Sequence, residues 1–423
     1  MTNSDPASPD VAPPVAAARL LTGDLEAIEA ARELARFAER EAARRDRERV
    51  LPWAELELFT TRGLGGMSIP RAYGGPGLSW VTVAEVFAIV SAADPSLGQI
   101  PQNQFGVLAV VQDAGSEAQK RRIFANILDG WRIGNAGPER SSKNTLETKA
   151  RLTRDGDAFR LNGEKFYSTG ALFAHWVSVK AVDDEGRNVM AFVRRGTPGL
   201  RIVDDWSGFG QRTTASGTVQ LENVRVGADD VIPSGVLAQK PSLHGPISQL
   251  IQAAIDLGIA RGAIADTIAF VRERTRPWID AGVEAASREP FTIAEVGKLE
   301  VELHAAEALL VKAARTLDTL GAAAAKTVDA EGAEAAAAVD AETVARASIA
   351  VAEAKVLTTE VALSASEKLF ELAGSRATLA EFNLDRHWRN ARTHTVHDPV
   401  RWKCYAVGDY YLNGTLPARH AWI

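Results

Sequence analysis

The stretch Asn162-Gly-Glu-Lys-Phe-Tyr-Ser-Thr-Gly-Ala-Leu-Phe-Ala-His-Trp-Val-Ser-Val179 lies within the part of the chain, from about Trp131 onward, in which the spacing of apolar residues has changed from a helical period to a period of two. Short β-rich runs continue on both sides of it, separated by turn pairs such as Asp155-Gly156 and Pro198-Gly199. This pattern predicts an antiparallel β module over residues 131–235. The runs are Ala150–Thr153, Phe159–Leu161, Trp176–Val179, Val189–Val193 and Val219–Leu221.

Helical patterns flank the module on both sides, with apolar residues three and four apart. They predict an N-terminal helical domain over 20–130, where Ser116 and Gln119 have the spacing of a capping box. A C-terminal helical bundle is predicted over 236–423. We therefore expect an α+β fold that is mainly α, and the absence of βαβ alternation argues against a doubly wound nucleotide-binding fold. The long predicted helices are Ile247–Arg274, Ile293–Leu320 and Ala341–Leu372.

Two segments have the composition of irregular structure. Residues 1–19 are polar and rich in proline at their start, and we expect a disordered tail there. The alanine-rich segment Gly321–Ala338 has no aromatic anchor and is expected to be a loosely packed connection between two helices.

Composition narrows the range of functions. The 423 residues include 48 Lys+Arg and 54 Asp+Glu, a formal net charge of −6, so nucleic-acid binding is not expected. No run of 18 apolar residues and no signal pattern is present, which predicts a cytoplasmic protein without a membrane association. The one cysteine, Cys404, cannot form an internal disulfide and is interpreted as a packing residue.

A glycine-rich loop at Gly63-Leu-Gly-Gly-Met-Ser68 fails the test for a dinucleotide site. Its third glycine is replaced by Ser68, and it follows a helix rather than a strand. The chain therefore lacks a pyridine-nucleotide motif, and an enzyme that consumes NADPH by itself is not expected.

Histidines concentrate near the C-terminus, where four of the seven fall in the last 37 residues. His394-Thr-Val-His397 is followed by Asp398-Pro399, and a residue before proline is disfavoured in a helix, so we expect a break there between two helices. Three interpretations stay open for this segment: a metal site with Asp398 as third ligand, a capped helix junction, or a flavin-site or acid/base group.

Arginines and aromatic residues supply two further candidate sets. Arg272, Arg274 and Arg276 precede Pro277, and Arg376 follows a glycine at a predicted helix end; they fit either a phosphate site or a solvated face. Aromatic residues alternate with polar ones in 165–176 and around Trp206, which fits either the wall of a planar ligand or ordinary core packing.

Together these segments resemble the acyl-CoA dehydrogenase superfamily over nearly the whole chain after residue 20. Asp204–Thr214, Arg276–Gly282 and Asp385–Pro399 are similar to the branch of dibenzothiophene monooxygenase, and Ile100–Asn103 and Gly408–Gly414 to SfnB-type sulfur-acquisition oxidoreductases. Further motifs that carry the resemblance are Gly63–Gly75, Ala92–Gly98, Gly115–Lys120, Asn162–Gly170 and Arg376–Ala380.

The resemblance implies roles for particular residues. His397 matches a histidine near the reactive edge of the flavin, Thr169 matches a serine beside it, and His394 is the accompanying catalytic candidate. Gln99 and Asn103 match substrate-pocket positions. The expected cofactor contacts are Asn135, Ser168, Thr169 and Trp206 around the ring, and Arg272 and Arg376 at the phosphate; no metal ligand is expected.

One departure from the ordinary dehydrogenases favours a different chemistry. Where those enzymes carry a glutamate base, this chain has His397-Asp398-Pro399, whose shorter acid before a rigid proline is poorly suited to α-proton abstraction. The resemblance then implies a two-component monooxygenase. Reduced FMN from a separate NAD(P)H:flavin reductase would react with O₂ to a C4a-hydroperoxyflavin and oxidise a small organosulfur compound in sulfur acquisition.

The resemblance also implies a homotetramer, in which a neighbouring subunit meets the flavin phosphate. The alternatives are an acyl-CoA dehydrogenase or oxidase holding FAD, an N-hydroxylase on the same fold, and a helical scaffold without chemistry. The substrate is not identified by the sequence.

Overall fold

The computed structural model describes residues 17–326 and 339–423. Most of the expected N-terminal tail therefore lies outside the described residues, as does the greater part of the expected connection 321–338. The helix that precedes this connection continues to Lys326, six residues beyond its predicted end at Leu320.

Five helices form the N-terminal part. Ser116 and Gln119 form the predicted capping box, since each side chain bonds the backbone N–H of the other residue, at 3.3 and 2.9 Å. Asp94 caps the fourth helix by accepting the N–H groups of Ser96 and Leu97 at 3.1 and 3.2 Å. The helices are α1 (Asp24–Glu48), α2 (Trp53–Thr61), α3 (Trp80–Ala93), α4 (Pro95–Ala114) and α5 (Glu117–Leu128).

The central part is one sheet with the strand order β6-β7-β3-β2-β4-β5-β8, and β1 pairs with β4. All five predicted runs coincide with strands, whereas β1, β6 and β8 were not predicted. The strands are β1 (Ile133–Ala136), β2 (Arg151–Asp155), β3 (Ala158–Lys165), β4 (Trp176–Val182), β5 (Asn188–Arg194), β6 (Leu200–Ile202), β7 (Val219–Gly227) and β8 (Val231–Ile232).

The sheet is mixed, so the expectation of a purely antiparallel module was wrong in this detail. β1 runs parallel to β4, and β2 makes one parallel pairing with β4 at Arg151 and Val182. The short β1 was missed because four residues give too little alternation to recognise. The pairing places Asn135 of β1 opposite Ser178 of β4.

The C-terminal part contains the three long predicted helices and two shorter ones. α6 is buried over most of its length and packs against α3, α4, α7 and α8. It carries a single buried carboxylate, Asp256, at its centre. The helices are α6 (His244–Glu273), α7 (Pro290–Lys326), α8 (Ala341–Ala373), α9 (Asp385–Thr395) and α10 (Val400–Asn413).

Two further observations bear on the sequence analysis. The segment between α9 and α10 is irregular, as Asp398-Pro399 predicted. Cys404 is exposed on α10, so its interpretation as a packing residue was wrong. The described helices include none that combines the length and the apolar character needed to cross a membrane. The division of the chain into domains at 20–130, 131–235 and 236–423 stays a prediction.

Candidate active site

Loops of the β module meet α4 at the first part of the candidate site. The backbone N–H of Asn135 donates to the carbonyl of Thr169 at 3.0 Å, which joins β1 to the loop after β3. Gly170 lies so close to α4 that a Cβ there would be 2.9 Å from the carbonyl oxygen of Ile100, and its φ is +79°. Because only glycine tolerates both conditions, the loop with Ser168 and Thr169 is held directly against the helix of Gln99.

A chain of hydroxyl groups begins at Thr169, which is buried. Its Oγ1 lies 2.6 Å from Oγ of Ser216, which lies 2.7 Å from Oγ1 of Thr214. Thr214 in turn donates to the carbonyl of Gln211 at 3.0 Å. Because Thr214 donates its one hydroxyl proton to Gln211, Ser216 donates to Thr214 and Thr169 donates to Ser216, which leaves the hydroxyl oxygen of Thr169 to accept a hydrogen bond.

Two buried side chains beside this chain carry polar atoms without a partner among the described residues. They are Oγ of Ser168 and both amide atoms of Gln211. A buried polar atom without a partner costs about 1–3 kcal/mol. Such atoms are expected where a polar ligand completes the hydrogen bonding.

Trp206 packs beside the hydroxyl chain and Gln211. Its Nε1 donates to the carbonyl of Gln211 at 2.9 Å, and its ring meets the ring of Tyr167 edge-on with centroids 6.2 Å apart. The backbone N–H of Gln211 donates to Oδ1 of Asn390 on α9 at 2.7 Å. The loop of Trp206 is thus fastened to the helix that also carries His394.

His394 lies at the centre of a buried ionic network. Its Nδ1 is 2.5 Å from Oδ1 of Asp256, and its Nε2 is 3.0 Å from Oε1 of Gln99. The second oxygen of Asp256 accepts hydrogen bonds from Nζ of Lys355 at 2.5 Å and from Oγ1 of Thr359 at 2.9 Å. Helices α6, α8 and α9 therefore meet at a single carboxylate, and α4 joins them through the contact of Gln99 with His394.

The charges of this network shift its pKa values. Burial raises the pKa of the Asp256 carboxyl, but the positive charge of Lys355 and the contact with His394 outweigh it and hold the pKa below its usual value. Burial lowers the pKa of His394, and Asp256 opposes that shift without cancelling it. At neutral pH the free site therefore pairs an ionised Asp256 with a neutral imidazole.

His397 lies one turn beyond His394, at the irregular junction. Its backbone N–H donates to the carbonyl of His394 at 3.0 Å, and its Nδ1 lies 3.1 Å from Oδ1 of Asp398. Asp398 is buried and forms an ion pair with Nζ of Lys403 at 2.9 Å. Burial opposes ionisation, yet the hydrogen bond with His397 and the charges of Lys355 and Lys403 hold the pKa of Asp398 well below its usual value.

A cavity of about 770 Å³ lies beside the junction, and His397 is one of its lining residues. Its walls are largely aromatic and aliphatic, and the imidazole of His397 lies 5.0 Å from the ring of Trp422. Its lining includes Leu146, His397, Trp402, Tyr405, His420 and Trp422, together with the carboxylates of Asp398 and Asp409.

The candidate phosphate ligands lie apart from these groups. Arg272 is exposed in the last turn of α6, and Arg376 is exposed after α8. The guanidinium carbon of Arg376 lies 5.8 Å from the ring centroid of Phe382, and that of Arg274 lies 5.1 Å from the same ring. Arg274, whose role the sequence left open, therefore shares a surface with Arg376.

The structure brings together most, but not all, of the sequence candidates. One group contains Asn135, Ser168, Thr169 and Trp206, and a second contains Gln99, His394 and His397. Asn103 is half-buried on α4, one turn beyond Gln99. No group of three or more metal-ligating side chains occurs within 17–326 and 339–423.

Several buried polar residues of the site escaped the sequence analysis. A signal was available for two of them, because Asp256 and Lys355 stand in long apolar helical patterns where a lone charge requires a partner. The residues missed are Gln211, Ser216, Asp256, Lys355 and Lys403.

Comparisons with known proteins agree with this architecture. Three family models match the chain: the N-terminal domain of acyl-CoA dehydrogenase at residues 25–131, the middle domain at 138–224 and the C-terminal domain at 250–402. The dibenzothiophene monooxygenase of Mycolicibacterium goodii is 33% identical over 404 residues, which cover 92% of this chain and 94% of the relative.

Solved structures give the same result. FMN-bound TdsC from Paenibacillus sp. A11-2 is 32% identical with a TM-score of 0.86, covering 94% of this chain and 100% of that one. The methanesulfinate monooxygenase MsuC from Pseudomonas fluorescens is 30% identical with a TM-score of 0.84, covering 94% and 99%. The chain therefore belongs to the acyl-CoA dehydrogenase family, as the sequence analysis predicted.

Proposed function

We propose that the protein is a monooxygenase that uses reduced FMN to oxidise an organosulfur compound. The observation that carries this proposal is the state of the junction between α9 and α10. Its only carboxylate, Asp398, is paired with Lys403 and bonded to His397, so it is not free to act as the base of a dehydrogenase. The imidazole of His397 lines the cavity beside this paired carboxylate. The FMN-bound relative and the two related monooxygenases support the same activity.

The residues present fit a flavin. An isoalloxazine ring is planar, with hydrogen-bonding atoms along its edge, and Ser168 and Gln211 offer buried polar atoms that lack partners among the described residues. The rings of Trp206 and Tyr167 supply an aromatic wall near them. We assign ring binding to Asn135, Ser168, Thr169 and Trp206.

When bound and reduced, the flavin supplies activation of O₂ and transfer of one oxygen atom to sulfur. The chain supplies the environment for that chemistry. Thr169, fixed by Ser216, presents a hydroxyl to the ring edge. His397 holds or passes a proton at the ring nitrogen that Asp398 does not occupy, and Asp398 orients that ring. His394 does not face the cavity, and we assign it to the support of the pocket.

We place the substrate between the flavin and α4, where Gln99 and Asn103 supply carboxamides. Two carboxamides suit a small organosulfur compound that carries polar oxygen atoms better than a large aromatic one. The relative MsuC, which is named for methanesulfinate, supports a small substrate.

The remaining assignments concern partners. The chain carries no pyridine-nucleotide motif, which supports a separate NAD(P)H:flavin reductase as the source of reduced FMN. Arg272 and Arg376 are exposed, which fits a flavin phosphate bound across subunits of a homotetramer. We infer a cytoplasmic location, where both reduced flavin and reductase are available.

Anaerobic mixing of the protein with reduced FMN, followed by admission of oxygen, tests the activity. We expect a transient absorbance distinct from both reduced and oxidised FMN, which decays faster when substrate is present. Reoxidation at the rate of free flavin would contradict the proposal. Mass analysis of the bound flavin, together with a bleaching assay with acyl-CoA, separates this function from that of an FAD-dependent dehydrogenase.

A further inference from the structure

Gln99 and His394 form a contact whose hydrogen bonding depends on one proton. Nε2 of His394 faces Oε1 of Gln99 at 3.0 Å, while Nδ1 faces Oδ1 of Asp256 at 2.5 Å. Both facing atoms are acceptors, so this arrangement is fully satisfied only by an imidazolium that donates from both nitrogens. A neutral ring donates to Asp256 alone and leaves a lone pair at Nε2.

A neutral His394 is satisfied when the amide of Gln99 is turned by 180° and donates to that lone pair. Gln99 thus has two orientations that are coupled to the protonation of His394. With a neutral ring, Gln99 turns its carbonyl away from His394. With a protonated ring, it turns its NH₂ group away and can donate to a ligand.

The free side of Gln99 lies beside the proposed flavin loop. Gln99 precedes Ile100, the residue of α4 that Gly170 approaches, and Asn103 follows it by one helical turn on the same face. When the carbonyl of Gln99 faces Nε2 of His394, its NH₂ group points to the other side of the amide and can donate to a ligand. Two carboxamides on one face supply four N–H groups, a donor set that suits sulfur-bound oxygen atoms.

The charges around His394 balance before any ligand binds. Asp256 is offset by Lys355, and Asp398 is offset by Lys403. The other titratable group that faces His394 is His397, one turn further along the chain. An anion that enters this buried site therefore has no counter-charge unless a proton accompanies it.

We propose that Gln99 donates its amide N–H to a sulfur-bound oxygen of an anionic substrate, a sulfinate, and that this binding takes up one proton from solvent at His394. Asp256 is the positioning residue, because it accepts from Nδ1 in both states and keeps Nε2 directed at Gln99. This inference rests on the proposed function for the location of the substrate, and it adds the charge class of that substrate.

Calorimetric titration of the FMN-loaded protein with methanesulfinate tests the inference, with neutral dimethyl sulfone as the matched probe. Titrations in buffers of different ionisation enthalpy give the number of protons taken up. We expect about one proton for methanesulfinate and none for the sulfone, and a dissociation constant for methanesulfinate that rises about tenfold per pH unit above pH 7. Absence of methanesulfinate binding, equal affinity for the sulfone, or binding without proton uptake would each overturn the inference.

Two pairs of variants locate the effect. Gln99→Leu should weaken methanesulfinate binding at least about tenfold, while Asn103→Ala, which removes the second amide, should weaken it less. His394→Gln should abolish proton uptake, whereas His397→Gln should retain it. Uptake that persists in His394→Gln and disappears in His397→Gln would reject the assignment to His394. FMN affinity of each variant serves as the folding control, and the flavin reoxidation assay shows independently whether the oxygenase function holds.

Discussion

His394 and His397 lie three residues apart and occupy opposite environments. His394 is 3% exposed and is bonded to Asp256 and Gln99, whereas the side chain of His397 is 33% exposed and lines a cavity. The end of α9 at Thr395 separates them, because the helix keeps His394 facing the bundle and the irregular junction turns His397 outward. Two residues with the same chemistry thus acquire different proposed roles: His394 takes up a proton beside Gln99, and His397 is the acid/base group at the cavity.

The largest expected effect comes from removing the positive charge that pairs with the buried carboxylate of Asp256. Lys355→Met leaves Asp256 buried with only His394 and Thr359 as partners, and we expect a loss of about 3–5 kcal/mol in the free energy of unfolding. Urea unfolding followed by circular dichroism measures it. The double variant Asp256→Asn with Lys355→Met, which removes both charges, should recover much of the loss. A single variant as stable as the parent chain would contradict the network.

On the cavity side, His397→Ala should leave stability nearly unchanged and lower the turnover rate about 100-fold, since a positioned acid/base group typically contributes two to four orders of magnitude. Steady-state oxidation of the substrate with an added reductase measures the rate. His397→Gln, which keeps a hydrogen-bonding group but cannot carry a proton, is the matched control. Full activity of His397→Gln would indicate that the ring acts only through its hydrogen bonds.

Acid stability should also distinguish the two histidines. Because burial lowers the pKa of His394, the unfolded chain binds a proton there below about pH 6.5 while the folded chain does not, so stability falls as the pH decreases. His394→Gln removes this contribution and should make the fall between pH 7 and pH 5 shallower by up to about 1.4 kcal/mol per pH unit. Urea midpoints across this range measure it, and an unchanged slope would contradict the prediction.

The smallest expected effect concerns the hydroxyl chain of the β module. Thr169→Val keeps the shape of the side chain but breaks the contact with Ser216, and we expect FMN affinity to fall about tenfold, a loss near 1.4 kcal/mol. Fluorescence titration with FMN measures it. Ser216→Ala removes the supporting partner alone and should have the smaller effect. If Ser216→Ala had the larger effect, the direct ring contact would belong to Ser216.

Much of the fold was predictable because its signals are local. Alternation identified five strands, the capping spacing located the start of α5, and Asp398-Pro399 marked the junction after α9. β1 and the two parallel pairings were missed, since strand pairing depends on contacts between distant segments. Cys404 was placed wrongly because the sequence does not show which face of α10 is covered.

The candidate site was predictable only in part, for the same reason. Resemblance identified Thr169, His394 and His397, but their partners lie far away along the chain. Asp256 is 138 residues from His394 and 99 from Lys355, and no local pattern connects such positions.

The sequence by itself determined the order of helices, sheet and helices, the family, and the imidazole that replaces a carboxylate base. Those features follow from periodicity and from motifs read in order along the chain. Only the tertiary structure decided that His394 is buried against Asp256, that Asp398 is paired with Lys403, and that His397 faces a cavity. A charged residue in an apolar helical pattern can be recognised in the sequence. Its partner cannot, because tertiary packing decides which distant residue lies beside it. Since an unpaired buried charge costs much free energy, only arrangements that supply such a partner are stable.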